Sequence, residues 1–336
     1  MSDLTSADLR TSAEPSDPAW DAFVAATAGG DHLQTTSWAE VKREVGWRAV
    51  RLRLERDGVV VGGCQVLLHD LKVGGSIAYV PRGPLVSGGD SAVTDAMLCT
   101  LTDFARREHV VYLKVQPPMN RDDMGPRLLG HGFVGSGLEA APTATVRVDL
   151  RSPEEDLLEA LSGSMRRNVR QGLRRGLRVR IGGDSDLDAM VELVAATAQR
   201  QSFQPYPRRY YEQMWRSFNA VGQACLLLVE RDSVVLAFAL LIPFGESVVY
   251  KAGGWNGLES SAHPNVLLHW SGIRWAREHG FRYYDFDGLN LIVARAARAG
   301  RELPQPATNR VPHFKLRFGG EVTFFAPAYD YSPIRI

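Results

Sequence analysis

At 336 residues the chain is long enough for two domains of ordinary size, each with its own core. Its hydrophobic content of 45% and charged content of 23% are those of a folded globular protein, and a net charge of +1 excludes a uniformly basic nucleic-acid binder. Three cysteines without CxxC spacing and eight histidines without an HxxxH pair argue against a disulfide framework and against a metal site.

The opening stretch "MSDLTSADLRTSAEPSDPAW" is polar and lacks the basic and apolar regions of a signal peptide. No apolar run approaches the length of a membrane-spanning helix, so a cytoplasmic protein is expected. "TSWAEVKREVG" (36–46) reads as a helix. "LERDGVVVGGCQV" (54–66) reads as two strands about an Asp-Gly turn, a hairpin signal. A strand "SIAYVPRG" (76–83), a helix "SAVTDAMLCTLTDFARREH" (91–109) and a strand "VVYLKVQP" (110–117) follow.

Next comes "SPEED" (152–156), which offers Ser152 as the N-cap of a short helix with acids in its first turn. From Arg166 to Arg180 there are seven arginines and no acid. Met165, Val169, Leu173 and Leu177 recur every four positions there, which predicts an amphipathic helix over 164–176, ended by Gly176. Its basic faces could meet phosphates; a solvated surface is the plainer reading.

The second half repeats the first. A helix "PRRYYEQMWRSF" (207–218) precedes "VERDSVVLAFALL" (229–241), which aligns without a gap on 54–66. "SVVYKAGG" (247–254), a helix "PNVLLHWSGIRWAREHG" and a strand "FRYYDFDG" (281–288) complete the second copy. Residues 291–310 read as an irregular basic stretch leading into "PHFKLRFGG" (312–320). Helix, hairpin, strand, helix, strand, twice over, is the order of the Gcn5-related N-acetyltransferase (GNAT) fold. The expected class is α/β (α+β): two tandem GNAT-like domains with mixed central sheets flanked by helices. Domain 1 spans 1–150 and is completed by about 320–336; domain 2 spans 151–319.

Acyl-CoA use is poorly supported. GNAT enzymes seat the CoA pyrophosphate on backbone N–H groups of a turn written R/Q-x-x-G-x-G/A. The literal match "RLLGHG" (127–132) reads instead as a helix stop. The turns after the hairpins, "YVPRGPLVSGG" and "YKAGGWNG", do not fit, and Pro81 and Pro84 each lack an N–H. GxSxG, Walker A and HExxH patterns are missing as well. The chemistry implied is one in which the substrate arrives activated and the protein positions it and stabilises charge.

"QTTSWAEVKREVGW", "YVPRGP", "MRRNVRQGLRRG", "YYDFDG" and "HFKLRFGG", in that order on duplicated GNAT-like halves, resemble the Fem family of aminoacyltransferases, over nearly the whole chain. The resemblance implies transfer of an amino acid from aminoacyl-tRNA to an amine of a peptidoglycan precursor stem peptide, nucleotide-linked or lipid-linked. No metal and no cofactor are implied; aminoacyl-tRNA is the co-substrate. The length leaves no room for the helical arm of larger members, so a compact, arm-less and monomeric type is expected. A lipid-linked acceptor would bring the protein to a membrane surface.

The resemblance also assigns residues. It implies a catalytic Phe314-Lys315 pair, the lysine handling the tRNA end and the charge of the reaction. Lysine is scarce here, at positions 42, 72, 114, 251 and 315 against 34 arginines. A flexible ammonium therefore stands at 315 where arginine is the default, although a strand lysine reaching past two Phe to solvent is the plain alternative. Lys42 matches a lysine that contacts the diphosphate of a nucleotide-linked acceptor, with Trp38 on the same helical face. Arg166, Asn168 and Arg170 match the family's basic helix, facing the tRNA stem or acceptor phosphates.

Three positions depart from compact relatives. Gln116 stands where they carry an acid, Tyr206 stands where an arginine is expected four residues before Tyr210, and Lys251 replaces an aromatic. Arg208 and Arg209 are the nearest substitutes for the missing arginine. These departures fall in the acceptor pocket and leave two other readings open. One is the same tRNA-dependent chemistry on a peptide or amine natural product. The other is an acyl-CoA-dependent N-acyltransferase or a non-catalytic tandem GNAT binding protein.

Overall fold

The computed structural model describes residues 8–72, 74–305 and 311–333. The chain forms two units, one of residues 1–143 and 325–336 and the other of residues 144–324.

The first unit begins with β1 (Asp8–Ser12), α1 (Pro18–Ala26), α2 (Thr36–Arg43), β2 (Arg48–Arg56), β3 (Val59–Asp70), β4 (Ser76–Val80) and β5 (Leu85–Val86). It continues with α3 (Ser91–Arg107), β6 (Val110–Val115), α4 (Met124–Gly130) and β7 (Val134–Gly135). The second unit holds β8 (Ala144–Asp149), α5 (Glu154–Ala160), α6 (Gly163–Arg174), β9 (Arg178–Ile181), α7 (Leu187–Gln201), α8 (Arg208–Asn219) and β10 (Cys225–Arg231). Then come β11 (Val234–Phe244), β12 (Ser247–Trp255), α9 (Pro264–Glu278), β13 (Tyr283–Asp285), α10 (Leu291–Arg298), α11 (Val311–Leu316) and β14 (Glu321–Phe324), before β15 (Tyr329–Tyr331) returns to the first unit.

The sheet of the first unit runs β1-β2-β3-β4-β6-β15-β7, with β5 also on β3; that of the second runs β14-β8-β13-β12-β11-β10-β9. Both are mixed: β4 pairs parallel with β6, and β12 with β13, each joined by one crossover helix. The duplication extends to backbone detail. Asp57 and Gly58 (φ 51° and 76°) and Asp232 and Ser233 (φ 50° and 63°) all take the left-handed conformation. Two such residues form the primed turn whose twist matches a hairpin. Both hairpins carry a bulge at the same place, between Leu54 and Glu55 in one and Val229 and Glu230 in the other.

Local chemistry explains the helices. Asp17 accepts from the backbone N–H of Trp20 and Pro18 opens α1, while Asp90 accepts from Ala92 and Val93 to start α3. Met97, Leu98 and Leu101 of α3 are fully buried against the first sheet. Trp270 and Ile273 of α9 are buried in the second core.

Several expectations need correction. The short helix before the basic segment is preceded by Pro153, not capped by Ser152. In α6, Met165 and Val169 are buried, but Leu173 is exposed and Gly172 takes its place in the core. Steps of four overshoot the 3.6-residue turn by about 40° each, so the stripe passes to position 172. Residues 291–298 of the supposedly irregular stretch form α10, which Asn290 caps by accepting from Ile292 and Val293; 306–310 lie outside the described residues. Lys315 lies on a helix, not a strand. The chain leaves the second unit after Phe324 rather than at about 320, and that unit begins at Ala144, because β14 pairs with β8. The elements at 8–12, 18–26 and 187–201 add to those read from the sequence. Among the described residues, no helix is long and apolar enough to cross a membrane.

Candidate active site

The site is built where two parallel strands of the second unit part. β12 and β13 pair only through Ser247–Val249 and Tyr283–Asp285. Beyond that, β12 bulges against β11, Leu240 facing Ala252 and Leu241 facing Tyr250, so Lys251 is the extra residue. A cavity of about 990 Å³ opens beside the bulge, between β12, the end of α7, α9 and α11. Two glycines make the space. A side chain at Gly253 would meet the Tyr250 hydroxyl at 1.9 Å, and one at Gly254 would meet the Leu193 carbonyl at 2.6 Å.

Lys315 of α11 is buried in the cavity wall. Its Nζ donates to the carbonyl oxygens of Asp287 and, at 2.6 Å, Gly288. Those carbonyls are presented by two successive left-handed residues, Asp287 (φ 47°) and Gly288 (φ 51°), just past the end of β13. The Asp287 carboxylate pairs with Lys251 Nζ at 3.0 Å. Burial lowers the pKa of Lys315 and Lys251 adds to this, while Asp287 and Asp285 oppose it. The ammonium thus sits beside compensating negative charge yet is held below the usual lysine range.

Asp285 anchors this turn from beneath. It accepts from Thr145 Oγ1 at 2.5 Å and from the Asp287 N–H at 2.8 Å, and Arg147 Nε lies 3.7 Å away. Burial raises its pKa. His269 lies in the cavity floor, 3.0 Å from the Tyr284 hydroxyl through Nδ1 and ringed by Tyr250, Phe286, Phe314 and Phe318. Burial, with Lys315 second, drives its pKa down to about 3, so it is neutral at physiological pH. The result is an aromatic floor with the cations Lys315 and Arg200 in the lining, suited to stabilising charge that develops on a bound group.

The profile of the FemAB family matches residues 16–126, and that of the acetyltransferase (GNAT) domain matches residues 163–291. The Lipid II:glycine glycyltransferase of Staphylococcus aureus strain MRSA252 is 29% identical over 223 residues, covering 63% of this chain and 53% of its own length. The same enzyme in strain USA300 is 30% identical over the same coverage. The chain therefore matches about half the length of these curated relatives. The crystal structure of FemX superposes with a TM-score of 0.83 at 23% identity, covering 96% of this chain and 97% of that one. Over residues 16–126 the chain is similar to the FemAB family, and over nearly its whole length it shares the fold of FemX. A tandem GNAT protein from the clavulanic acid pathway, with a TM-score of 0.57 and 12% identity, shares the two-copy fold.

The sequence candidates fall in separate places. Phe314, Lys315 and Lys251 meet in the second unit, where Phe314 packs on His269 and Phe318. Tyr206 stacks on Tyr210 at 4.2 Å, and the buried Tyr210 phenol is held above its ordinary pKa by burial first, with Asp287 contributing. Arg208 is engaged at the surface by Asp188 and Glu212, and Arg209 is exposed. On α6, Arg166 turns back onto the carbonyls of Glu159 and, at 2.8 Å, Leu161, so it closes the end of α5. Asn168 is half-buried, and Arg170 is exposed together with Arg167 and Arg174.

In the first unit, Lys42 Nζ lies over Trp38 and Trp47, 6.0 and 5.6 Å from the ring centres. Trp38 itself is buried, edge-on to His32. Gln116 is fully buried and fixed: it accepts from Tyr79 Oη at 3.0 Å and the Ala141 N–H at 3.2 Å, and donates to the Ala141 carbonyl. His269, Tyr250 and the two aspartates escaped sequence reasoning. The available signal was the spacing in "DFDG", two acids bracketing an apolar residue where a strand ends.

Proposed function

We propose that this protein transfers an aminoacyl group from aminoacyl-tRNA to an amine of a peptidoglycan precursor stem peptide. The observation that carries the reading is the Lys315 ammonium, held by two carbonyls in the wall of a cavity at parted strands, in a chain similar to the FemAB family. The related staphylococcal enzyme is named for glycine and lipid II, which favours a lipid-linked acceptor. Such an acceptor would be met at a membrane surface.

The substrate's ester is already activated, so no metal, CoA or covalent enzyme intermediate is called for. The acceptor amine attacks the ester carbonyl carbon, negative charge moves onto the carbonyl oxygen, and collapse expels the ribose oxygen. The amine's proton is lost and the ribose oxygen gains one. An ammonium has three N–H donors, and two of those on Lys315 go to carbonyls; the third is left for the developing oxyanion or the leaving oxygen. A fixed donor of this kind contributes about 3–4 kcal/mol to the transition state. The exposed Arg167, Arg170 and Arg174 of α6 are suited to tRNA phosphates, and binding should then weaken steeply with salt.

The test is a transfer assay with radiolabelled aminoacyl-tRNAs against nucleotide-linked stem peptide, lipid-linked stem peptide and a panel of peptide amines. Transfer to a stem peptide supports the reading. Transfer only to the other amines replaces the acceptor, and turnover of acetyl-CoA instead overturns the reading.

A further inference from the structure

Three side chains on the surface of the first unit stand in series. Asp95 and Cys99 are one turn apart on α3, and His131 is the C-cap of α4. Gly132, left-handed at φ 83°, turns the chain immediately after His131 and fixes where that ring sits. Cys99 Sγ is 3.7 Å from His131 Nδ1, and His131 Nε2 is 3.4 Å from Asp95 Oδ1. The other Asp95 oxygen accepts from Arg127 Nη1 at 2.8 Å, which holds the carboxylate in place.

The two contacts of His131 use opposite nitrogens of one ring. With Nε2–H donating to Asp95, Nδ1 carries the lone pair and faces the thiol. The groups are strung out rather than convergent, and among the described residues no cluster of His, Cys, Asp and Glu could hold a metal ion. Accessibility separates this thiol from the other two. Cys99 is exposed, whereas Cys64 and Cys225 are buried, and burial pushes the Cys225 thiol up to about 12 and Cys64 higher still. Nothing in the proposed transfer reaction uses this cluster.

We propose that Cys99 is a site of thiol–disulfide exchange, modified by small disulfides, with His131 as the base and Asp95 orienting it. The thiol proton passes to His131 Nδ1 and the sulfur attacks one sulfur of R–S–S–R. The S–S bond breaks, and the departing thiolate takes the proton from the imidazolium and leaves as RSH. The protein is left as the Cys99–S–S–R mixed disulfide. The incoming disulfide is itself the oxidant, so no further reagent is required. An acyl group is a poorer electrophile here. Cys99 lies inside α3, where backbone N–H groups are already bonded within the helix, and acyl transfer would need free donors for an oxyanion.

The experiment uses the full chain with 5,5′-dithiobis(2-nitrobenzoate) and hydroxyethyl disulfide at neutral pH, following thiolate release and mapping the adduct by mass spectrometry. One sulfur should react rapidly in the folded protein, and it should be Cys99. His131→Asn should slow it by about tenfold or more and Asp95→Asn by a smaller factor, with thermal unfolding unchanged. Both residues are half-buried, so thermal unfolding is followed for each variant, and reaction in denaturant supplies the rate of an unassisted thiol. The proposal fails if folded Cys99 reacts no faster than in denaturant, or if both variants react at the wild-type rate.

Discussion

The ammonium nitrogen of Lys315 lies 2.6 Å from the carbonyl oxygen of Gly288, a residue held in the left-handed conformation just past the end of β13. Lysine and turn therefore fix one another. The point charge is held by backbone rather than by a carboxylate, so it is not neutralised by its nearest partners. A guanidinium is planar and longer, and its fork cannot place one N–H where the Lys315 Nζ sits while leaving both carbonyls served. Lys315→Ala and Lys315→Arg should each lower kcat for aminoacyl transfer by about 10²–10³, with circular dichroism unchanged. Wild-type turnover in the arginine variant would show that charge alone suffices.

The lowered pKa of Lys315 gives opposite signs for activity and stability. Activity needs the ammonium, so it should fall as pH rises through a value below 10.5. In the same window the folded state releases a proton that the unfolded chain keeps, so the unfolded state binds more protons and stability rises with pH. Lys315→Met should lack that rise. Urea denaturation of the two proteins in parallel checks it: identical pH slopes would remove Lys315 as the titrating group.

How far the sequence was legible depends on distance along the chain. The hairpins were readable because Asp57-Gly58 and Asp232-Ser233 dictate their turns locally, and the gapless alignment of 54–66 on 229–241 exposed the duplication. Lys315 stood out because lysine is scarce. Its burial was not readable, since the carbonyls that hold it come from residues 287 and 288, far back in the chain. Leu173 misled because a four-residue spacing imitates a helical stripe over one turn and drifts off it on the next. His269 was invisible as a site residue for the same reason that it is neutral: only the fold surrounds it with rings.

His269 should impose a pH dependence on stability. Its folded pKa is lowered to about 3 from the usual 6.5, so below 6.5 the unfolded chain gains a proton that the folded state refuses. Stability should then fall by about 1.4 kcal/mol per pH unit as pH drops through this range. Asp285 acts in the opposite direction, since its raised pKa lets the folded state take up a proton first. Comparing wild type with His269→Gln separates the two, and the variant should lose the His269 slope. Parallel lines would mean that His269 titrates equally in both states.

Gln116 is fixed by the buried contacts it makes. Gln116→Leu would leave the Tyr79 hydroxyl and the Ala141 N–H without their shared acceptor. The expected loss is about 1–3 kcal/mol of stability, read from chemical denaturation. If the variant is as stable as wild type but inactive, Gln116 serves the acceptor and not the fold.

Asp287→Asn tests the charge balance of the site with little disturbance of its backbone, because asparagine tolerates the left-handed conformation that Asp287 adopts. The substitution removes the carboxylate that pairs with Lys251 at 3.0 Å while leaving the Asp287 carbonyl that Lys315 uses. Asp287 raises the pKa of Lys315 and Lys251 lowers it. Without the carboxylate, the charge that raises the Lys315 pKa is gone while Lys251, which lowers it, remains. The high-pH fall in activity should therefore move to lower pH in Asp287→Asn. Adding Lys251→Met should bring it part of the way back, since the cation that lowers the Lys315 pKa is then gone. A pH profile that stays in place across all three proteins would show that the falling limb belongs to another group, and that the Asp287–Lys251 pair acts only on the shape of the turn.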